Sequence, residues 1–335
     1  MNKMTVLILF FLCSVVFITF APFVGMETIS FESVIKPIGS DIKTDIFWKI
    51  RIPRVITAFF AGAALAISGL TFQALFRNPL ATPFTLGVSA GAAFGASLYV
   101  RAGFFFSLFG ITGQSFSAFG GALLSIFLVF GLTRVKKGFS TATMLLAGVA
   151  VSFFFSSLIL FIQYLSDFTH SFRIIRWLMG GFEIVGYRPV INILPFVVVG
   201  SSIVFILTHE LNLMTTGEDI AISRGVNVRG IKNILFFATS LMVGGVVSIC
   251  GPIGFVGMMS PHICRLIIGP DHRFLTPITF IFGGIFLTIC DTLPRTLIAP
   301  AEIPVGVITA LLGGPFFLWL LVSGSSERGI LRHYK

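Results

Sequence analysis

RIPRVITAFFAGAALAISGLTFQALFRNPLATPFTLGVSAGAAFG, residues 51–95, is the stretch that decides the fold class. Its uncharged run from Val55 to Phe76 has 22 residues, enough to cross a hydrocarbon core of about 30 Å as an α-helix. A second apolar run, from Phe84 to Val100, follows a break at residues 78–83. Two apolar helices joined by a tight turn are typical of an integral membrane protein.

Three glycines mark the second of these helices. Gly87, Gly91 and Gly95 recur every four residues, so they lie on one face of the predicted helix. Small residues let a neighbouring helix approach closely, which favours helix association in lipid. The spacing leaves two interpretations open, a helix-packing seam and the wall of a pathway.

The composition of the whole chain agrees with a membrane protein. Of 335 residues, 56% are hydrophobic and 11% are charged, and the mean hydropathy is +1.00. Soluble domains carry roughly a quarter charged residues. The formal net charge is +10, but the basic residues are scattered between apolar runs. They therefore fit loop anchors better than a nucleic-acid surface, and we expect no nucleic-acid partner.

The apolar runs predict an all-α polytopic protein of about ten transmembrane helices, forming a single transmembrane domain over residues 1–335. The predicted spans are 4–23, 55–76, 84–100, 115–133, 139–165, 190–207, 231–249, 255–268, 275–290 and 305–322. Ten spans place both termini on one side. Lys and Arg are in excess there, for example at Lys136, Lys137 and in the tail 328–335. Positive charge in short loops favours the cytoplasmic side of an inner membrane.

Several short motifs are spread along the whole chain. They are RIPR at 51–54, NPLATP at 78–83, LGVSAGA at 86–92, GFVG at 254–257, PH at 261–262, GPDHR at 269–273, EIPVG at 302–306 and GGPFF at 313–317. In this order they resemble the FecCD family of ABC importer permeases, and the resemblance covers nearly the whole chain. It implies a ten-helix subunit that dimerises and imports iron-siderophores, haem or vitamin B12.

The resemblance also implies partners. They are an ATP-binding ABC subunit, a periplasmic or lipid-anchored substrate-binding protein, and a second permease copy, for which a homodimer is expected and a heterodimer remains open. ATP and Mg²⁺ would bind the partner ATPase, and no cofactor would bind this chain. Ferric siderophore is the first expectation for the substrate, with cobalamin and haem as alternatives.

The residues themselves give no sign of catalysis. The sequence lacks the Gly-x-x-x-x-Gly-Lys-Ser/Thr phosphate loop, paired catalytic carboxylates and a zinc motif. We therefore expect no catalytic residue, no metal site and no enzymatic activity in this chain. The centres of the predicted spans also carry no Asp, Glu, Lys or Arg, which argues against the alternative of an ion-gradient-driven secondary transporter.

Three arginines are candidates for docking the binding protein. Arg51, Arg54 and Arg295 lie at predicted outer helix ends, and guanidinium groups form bidentate pairs with carboxylates. In similar permeases, arginines at these motif positions meet glutamates of the binding protein. The alternatives are interfacial snorkelling and, for Arg295, a local pair with Asp291 one helical turn away.

The polar segment at 209–230 is the candidate ATPase-coupling loop. Its candidate residues are Gly217, Glu218, Ala221, Arg224 and Gly225. In the family this loop resembles Gly-x-x-Ala-x-x-Leu-Gly, with Arg224 here in place of the usual leucine. A short cytoplasmic helix ended by glycine can sit in a groove of the ATPase and transmit its closure. An ordinary polar loop is the alternative.

A few further polar residues carry open interpretations. Gln73, Asn78 and Pro79 lie on or just beyond a predicted span, where polar groups either face a pathway or serve capping and interhelical hydrogen bonds. Glu302 is predicted near the outer mouth, where it is a gate, a dock or part of a loop. Residues 166–189, with Trp177, are interpreted as an external loop.

Overall fold

The computed structural model describes residues 3–31, 34, 42–108, 110–135, 141–297 and 302–322. Within these ranges the regular secondary structure is helical apart from one hairpin, in which β1 (Ser107–Leu108) pairs antiparallel with β2 (Ile111–Thr112). The helices are α1 (Lys3–Phe20), α2 (Ile42–Ile46), α3 (Ile52–Phe76), α4 (Val88–Ala102), α5 (Gly113–Val135), α6 (Thr141–Tyr164), α7 (Phe168–Leu178), α8 (Arg188–Ile206), α9 (Thr208–Thr216), α10 (Glu218–Ser223), α11 (Val228–Cys250), α12 (Val256–Ile268), α13 (His272–Thr292), α14 (Pro294–Leu297) and α15 (Val305–Val322).

Among the described residues, seven helical stretches are long and apolar enough to cross a membrane. They are Lys3–Phe23, Ile42–Phe76, Gly113–Arg134, Ala142–Tyr164, Arg188–Ile206, Val228–Cys250 and His272–Thr296. The shorter helices α4, α12 and α15 fall on three further predicted spans. The prediction of an all-α polytopic membrane fold is confirmed, with a helix for each expected span. Lys136, Lys137 and the basic tail lie outside the described residues.

Helix α3 is the centre of the bundle, packed against α8, α11, α12 and α13. It is buried almost throughout because its Ala and Gly residues let its neighbours approach its backbone. A Cβ atom at Gly69 would lie 1.8 Å from the Gly257 carbonyl oxygen, and one at Gly62 would lie 2.2 Å from that of Gly283. Any side chain there would separate α3 from α12 or α13.

The glycine face of α4 packs on α5. A Cβ at Gly91 would lie 2.3 Å from the Gly121 oxygen, and one at Gly95 would lie 2.0 Å from the Ser117 oxygen. Gly87 precedes the helix with a φ of 84°, a backbone conformation that favours glycine. The glycine face of α4 therefore contacts a neighbouring helix of the same chain.

The segment interpreted as an external loop contains a helix of 11 residues, α7, which the sequence-based interpretation did not predict. Helix α7 begins where Asp167 accepts a hydrogen bond of 2.8 Å from the His170 backbone N–H. This bond, with a second from the His170 ring, holds the pKa of Asp167 below its usual value. Only one side of α7 contacts the bundle, so its sequence mixes polar and apolar residues. This mixed composition contains no long apolar run from which the helix could be predicted.

Several helix boundaries differ from the predicted spans, most of all the start of the second span. The second span begins before Val55, since α2 and a π-helical stretch, Phe47–Arg51, lead directly into α3. Before α12, residues 251–255 are not helical, and Phe255 has a φ of 66°, which is strained for a residue with a side chain. Helix α12 starts only after this non-helical segment. Its first turn lies beside Gly69, far along α3 from the predicted outer end of α3.

Candidate functional site

The predicted outer ends of α3 and α13 meet in a cluster of four charged residues. Arg54 of α3 donates from Nη2 to Asp291 Oδ1 at 2.9 Å, and its Nε also bonds this carboxylate. Its Nη1 donates to Glu302 Oε2 at 2.8 Å. Arg295 is ion-paired with Asp291 from the other side. Two guanidinium groups and two carboxylates thus compensate one another at the end of the bundle.

The two carboxylates of this cluster differ in exposure. The Asp291 side chain is 2% exposed and the Arg54 side chain 12%, whereas the Glu302 side chain is 51% exposed. Asp291 therefore holds Arg54 and Arg295 in place within the protein. Glu302 covers the remaining edge of Arg54 from the solvent side, where exposed ion pairs contribute little stability.

Arg51 is directed toward the chain itself. It is 6% exposed, and it donates to the backbone oxygens of Pro22 at 3.1 Å and Glu27 at 2.6 Å. It therefore fixes the segment that follows α1. Arg295 is also 6% exposed. Arg51 and Arg295 are thus enclosed within the single chain, and docking of a partner by the three arginines stays a prediction.

An open cavity of about 730 Å³ lies beside this cluster. Arg54 and Glu302 line one side, and Arg173, Arg176 and Trp177 of α7 line another. The loop 180–183, the end of α11, Gln114 and residues 303–305 also line it. Of the three arginines predicted to dock a partner, only Arg54 lines the cavity.

The candidate coupling segment lies at the opposite end of the bundle and consists of α9, α10 and the turn after them. Gly217 joins the two helices with a φ of 148°, and Gly225 follows α10 with a φ of 83°. Ala221 is buried, whereas Arg224 is exposed. A short helix ended by glycine is therefore present where the sequence predicted one.

Several polar contacts tie this segment to the membrane helices. Glu218 Oε1 accepts from Lys232 Nζ of α11 at 2.6 Å, and the Lys232 side chain is nearly buried. Asn212 of α9 donates to Asp271 Oδ1 at 2.9 Å and accepts from the His272 N–H at 2.8 Å. Burial acts to raise the pKa of Asp271, but the hydrogen bonds from Asn212 and the Arg273 N–H lower it below its usual value.

Sequence reasoning did not identify Asn212 or Lys232. Their partners lie on other helices, and neither residue belongs to a recognisable motif. Asp291 was considered only as a local partner of Arg295, because nothing in the sequence connects it to Arg54. A polar residue at the end of an apolar run is the only signal that the sequence offers for any of them.

The polar residues near the end of α3 have partners within the chain. Gln73 is fully buried, and its Oε1 accepts from Arg265 Nη2 at 3.1 Å while its Nε2 lies 3.4 Å from the Met258 oxygen. It therefore links α3 to α12. Asn78 accepts from the Leu80 N–H at 2.9 Å and shapes the turn that contains Pro79. In the described part of the chain, no group of three or more His, Cys, Asp or Glu residues is arranged to hold a metal.

These features together define a polytopic membrane protein. Its helices pack through glycines, one end opens into a charged cavity, and the other end carries a short exposed helix anchored to the bundle. The chain belongs to the FecCD transport family, whose family model matches residues 8–323. Members of this family are permease subunits of ABC transporters and are not catalytic. They work with ATP-binding subunits and substrate-binding proteins.

Individual relatives agree with this assignment. The hemin transport system permease protein HmuU of Yersinia pestis is 37% identical over 309 residues, which cover 91% of each chain. The cobalamin import system permease protein BtuC of Halobacterium salinarum is 41% identical over 276 residues, or 81% of this chain and 72% of the relative. A solved ABC transporter assigned to the metal-chelate type, in an inward-facing conformation, has a TM-score of 0.83 and 32% identity, covering 96% of this chain and 99% of that one.

Proposed function

We propose that this chain is the permease subunit of an inner-membrane ABC importer that passes a ferric siderophore. The likeness to a metal-chelate type transporter across 96% of the chain carries the proposal. Import of haem or cobalamin by the same machinery is the alternative, since relatives with 37% and 41% identity are named for hemin and cobalamin.

The energy for transport comes from a separate ATPase in this proposal. The segment 209–230 is the surface for that partner, because α10 is short, largely exposed and followed by glycine. The Glu218–Lys232 ion pair and the Asn212 hydrogen bonds attach it to α11 and α13. A movement of the ATPase at this surface would thereby reach two membrane helices.

A substrate-binding protein docks at the opposite end in this proposal. Arg54 is the residue best placed to meet an acidic side chain, since Glu302 is its only exposed carboxylate partner among the described residues. An incoming carboxylate can replace Glu302 while Asp291 keeps the guanidinium oriented. Arg295 then helps to hold Asp291 in place behind Arg54, and Arg51 fixes the segment that follows α1, so neither of them contacts the partner.

Two permease copies form the working unit, with the translocation path between them. We propose a homodimer, in which each copy contributes one coupling segment and one outer cavity. The chain supplies passage and conformational coupling, and ATP and Mg²⁺ bind the partner ATPase.

Co-purification and a substrate panel test this function. The permease is expressed with the ATPase and binding protein of its own gene neighbourhood, and labelled ferric siderophores, cobalamin and haem are offered to reconstituted vesicles. We expect a stable complex and ATP-driven uptake of a ferric siderophore. Uptake of cobalamin or haem alone would replace the proposed substrate, and the absence of any complex with an ATPase would contradict the proposal.

A further inference from the structure

The outer cavity has the size and the lining of a ligand site. Its volume of about 730 Å³ lies within the range of roughly 300–1,000 Å³ that small-molecule sites occupy. Helix α7 supplies one wall with Arg173, Arg176 and Trp177. Arg176 and Trp177 follow Arg173 by three and four positions, so the three side chains lie on one face of the helix.

The charges of this lining do not cancel. Arg54 is engaged by Asp291 and Glu302, and Arg176 by Glu183, whose Oε1 lies 2.6 Å from Arg176 Nε. Arg173 has no carboxylate within ion-pair distance among the described residues. Its guanidinium carbon lies 6.0 Å from the ring centroid of Phe105. One guanidinium in the cavity is thus left for an external anion.

A second guanidinium is held only loosely. The side chains of Arg176 and Glu183 are 62% and 71% exposed, and ion pairs in such positions contribute little stability. A ligand carboxylate can therefore displace Glu183 at small cost. Trp177 adds an aromatic surface for the apolar part of a ligand.

We propose that this cavity is a transient binding site for metal chelates that carry free carboxylates, held by Arg173 and Arg176 beside Trp177. The inference rests on the proposed function and narrows its substrate class to anionic chelates. Guanidinium groups suit carboxylates because they offer two parallel donors. Partial solvent exposure of these side chains keeps the binding weak. Weak binding lets the ligand leave a site that lies on a transport path.

A matched pair of chelates tests the charge preference. Acylation of the free amine of ferrioxamine B with an acetyl or a succinyl group gives two ferric chelates that differ chiefly by one carboxylate. They are titrated against the full-length permease in lipid nanodiscs, with Trp48→Phe and Trp319→Phe leaving Trp177 as the reporter of quenching. We expect the succinyl chelate to bind with a Kd roughly fivefold lower at low salt, and the difference to shrink in high salt.

Arginine variants locate the preference. Arg173→Gln/Arg176→Gln should remove the difference between the two chelates, whereas Arg101→Gln, an exposed outer arginine outside the cavity lining, should retain it. Equal binding of both chelates, or a preference that survives the double variant, would overturn the inference. ATP-driven uptake of a neutral chelate by the same protein would still support the proposed function. Failure of the charge preference can therefore be distinguished from failure of the proposed import function.

Discussion

At the residue scale, the outer charge cluster separates structural ion pairs from exchangeable ones. Asp291 is enclosed and bonded to both Arg54 and Arg295, whereas Glu302 is exposed and bonded to Arg54 alone. Removing the partner of a buried charge is costly because the remaining charge lacks both water and a counter-ion. The same chemical change should therefore have different effects at the two carboxylates.

Asp291→Asn and Glu302→Gln test this difference. We expect Asp291→Asn to lower stability by about 3 kcal/mol, since it leaves two enclosed guanidinium groups without their shared carboxylate. Glu302→Gln should change stability by less than about 1 kcal/mol. Thermal unfolding of the purified variants in one detergent gives the comparison. Equal shifts for the two variants would contradict the distinction between a structural carboxylate at Asp291 and an exchangeable one at Glu302.

Gly69 sets how closely α3 and α12 pack. Gly69→Ala would force its Cβ to 1.8 Å from the Gly257 oxygen, so the helices must separate and the protein should lose stability by more than about 2 kcal/mol. Gly120→Ala on α5 is the matched control, because no atom lies within 4 Å of its Cβ position. The midpoint of thermal unfolding should fall for the first variant and stay constant or rise for the second. A tolerated Gly69→Ala would exclude the close contact.

At the scale of elements, the position of the candidate coupling segment depends on its anchors. Helix α10 has only six residues, too few to hold a fixed orientation by itself. The Glu218–Lys232 pair joins it to α11, and Asn212 joins α9 to the start of α13. A coupling surface must be rigidly attached to the helices that it moves.

Breaking the first anchor should uncouple the transporter. In Lys232→Gln we expect ATP hydrolysis to persist while uptake per ATP falls by at least about fivefold, a change typical of a lost coupling contact. The charge swap Glu218→Lys/Lys232→Glu should restore part of the uptake. ATPase and uptake assays on the same vesicles measure both. A parallel loss of both activities in Lys232→Gln would point to a folding defect and contradict the coupling role.

The elements also show what the sequence could predict. The transmembrane helices were predictable because a long apolar run is a local property. Helix α7 was missed because its composition is mixed and only one face packs. The enclosure of Arg51 was not predictable, since its acceptors are backbone oxygens of residues 22–27. The Arg54–Asp291 pair joins residues 237 positions apart, a contact that the tertiary fold alone defines.

At the scale of the whole molecule, the two candidate surfaces lie at opposite ends of the same helices. Helix α13 begins beside Asn212 of the coupling segment and ends with Asp291 in the outer cluster. Helix α11 carries Lys232, bonded to Glu218, near its start and ends at Cys250 beside the outer cavity. Rigid helices that connect the two ends provide a physical route by which an ATPase on one side can alter the cavity on the other.

The energy source is the central claim, and a transport assay in proteoliposomes tests it most directly. The permease is reconstituted with its ATPase and binding protein, and uptake of a labelled ferric siderophore is followed with ATP on the cytoplasmic side or with an imposed proton or sodium gradient. We predict uptake that requires ATP hydrolysis, continues when the gradients are collapsed, and is lost in Arg54→Glu. Uptake that follows an ion gradient without ATP would contradict the assignment as an ABC permease.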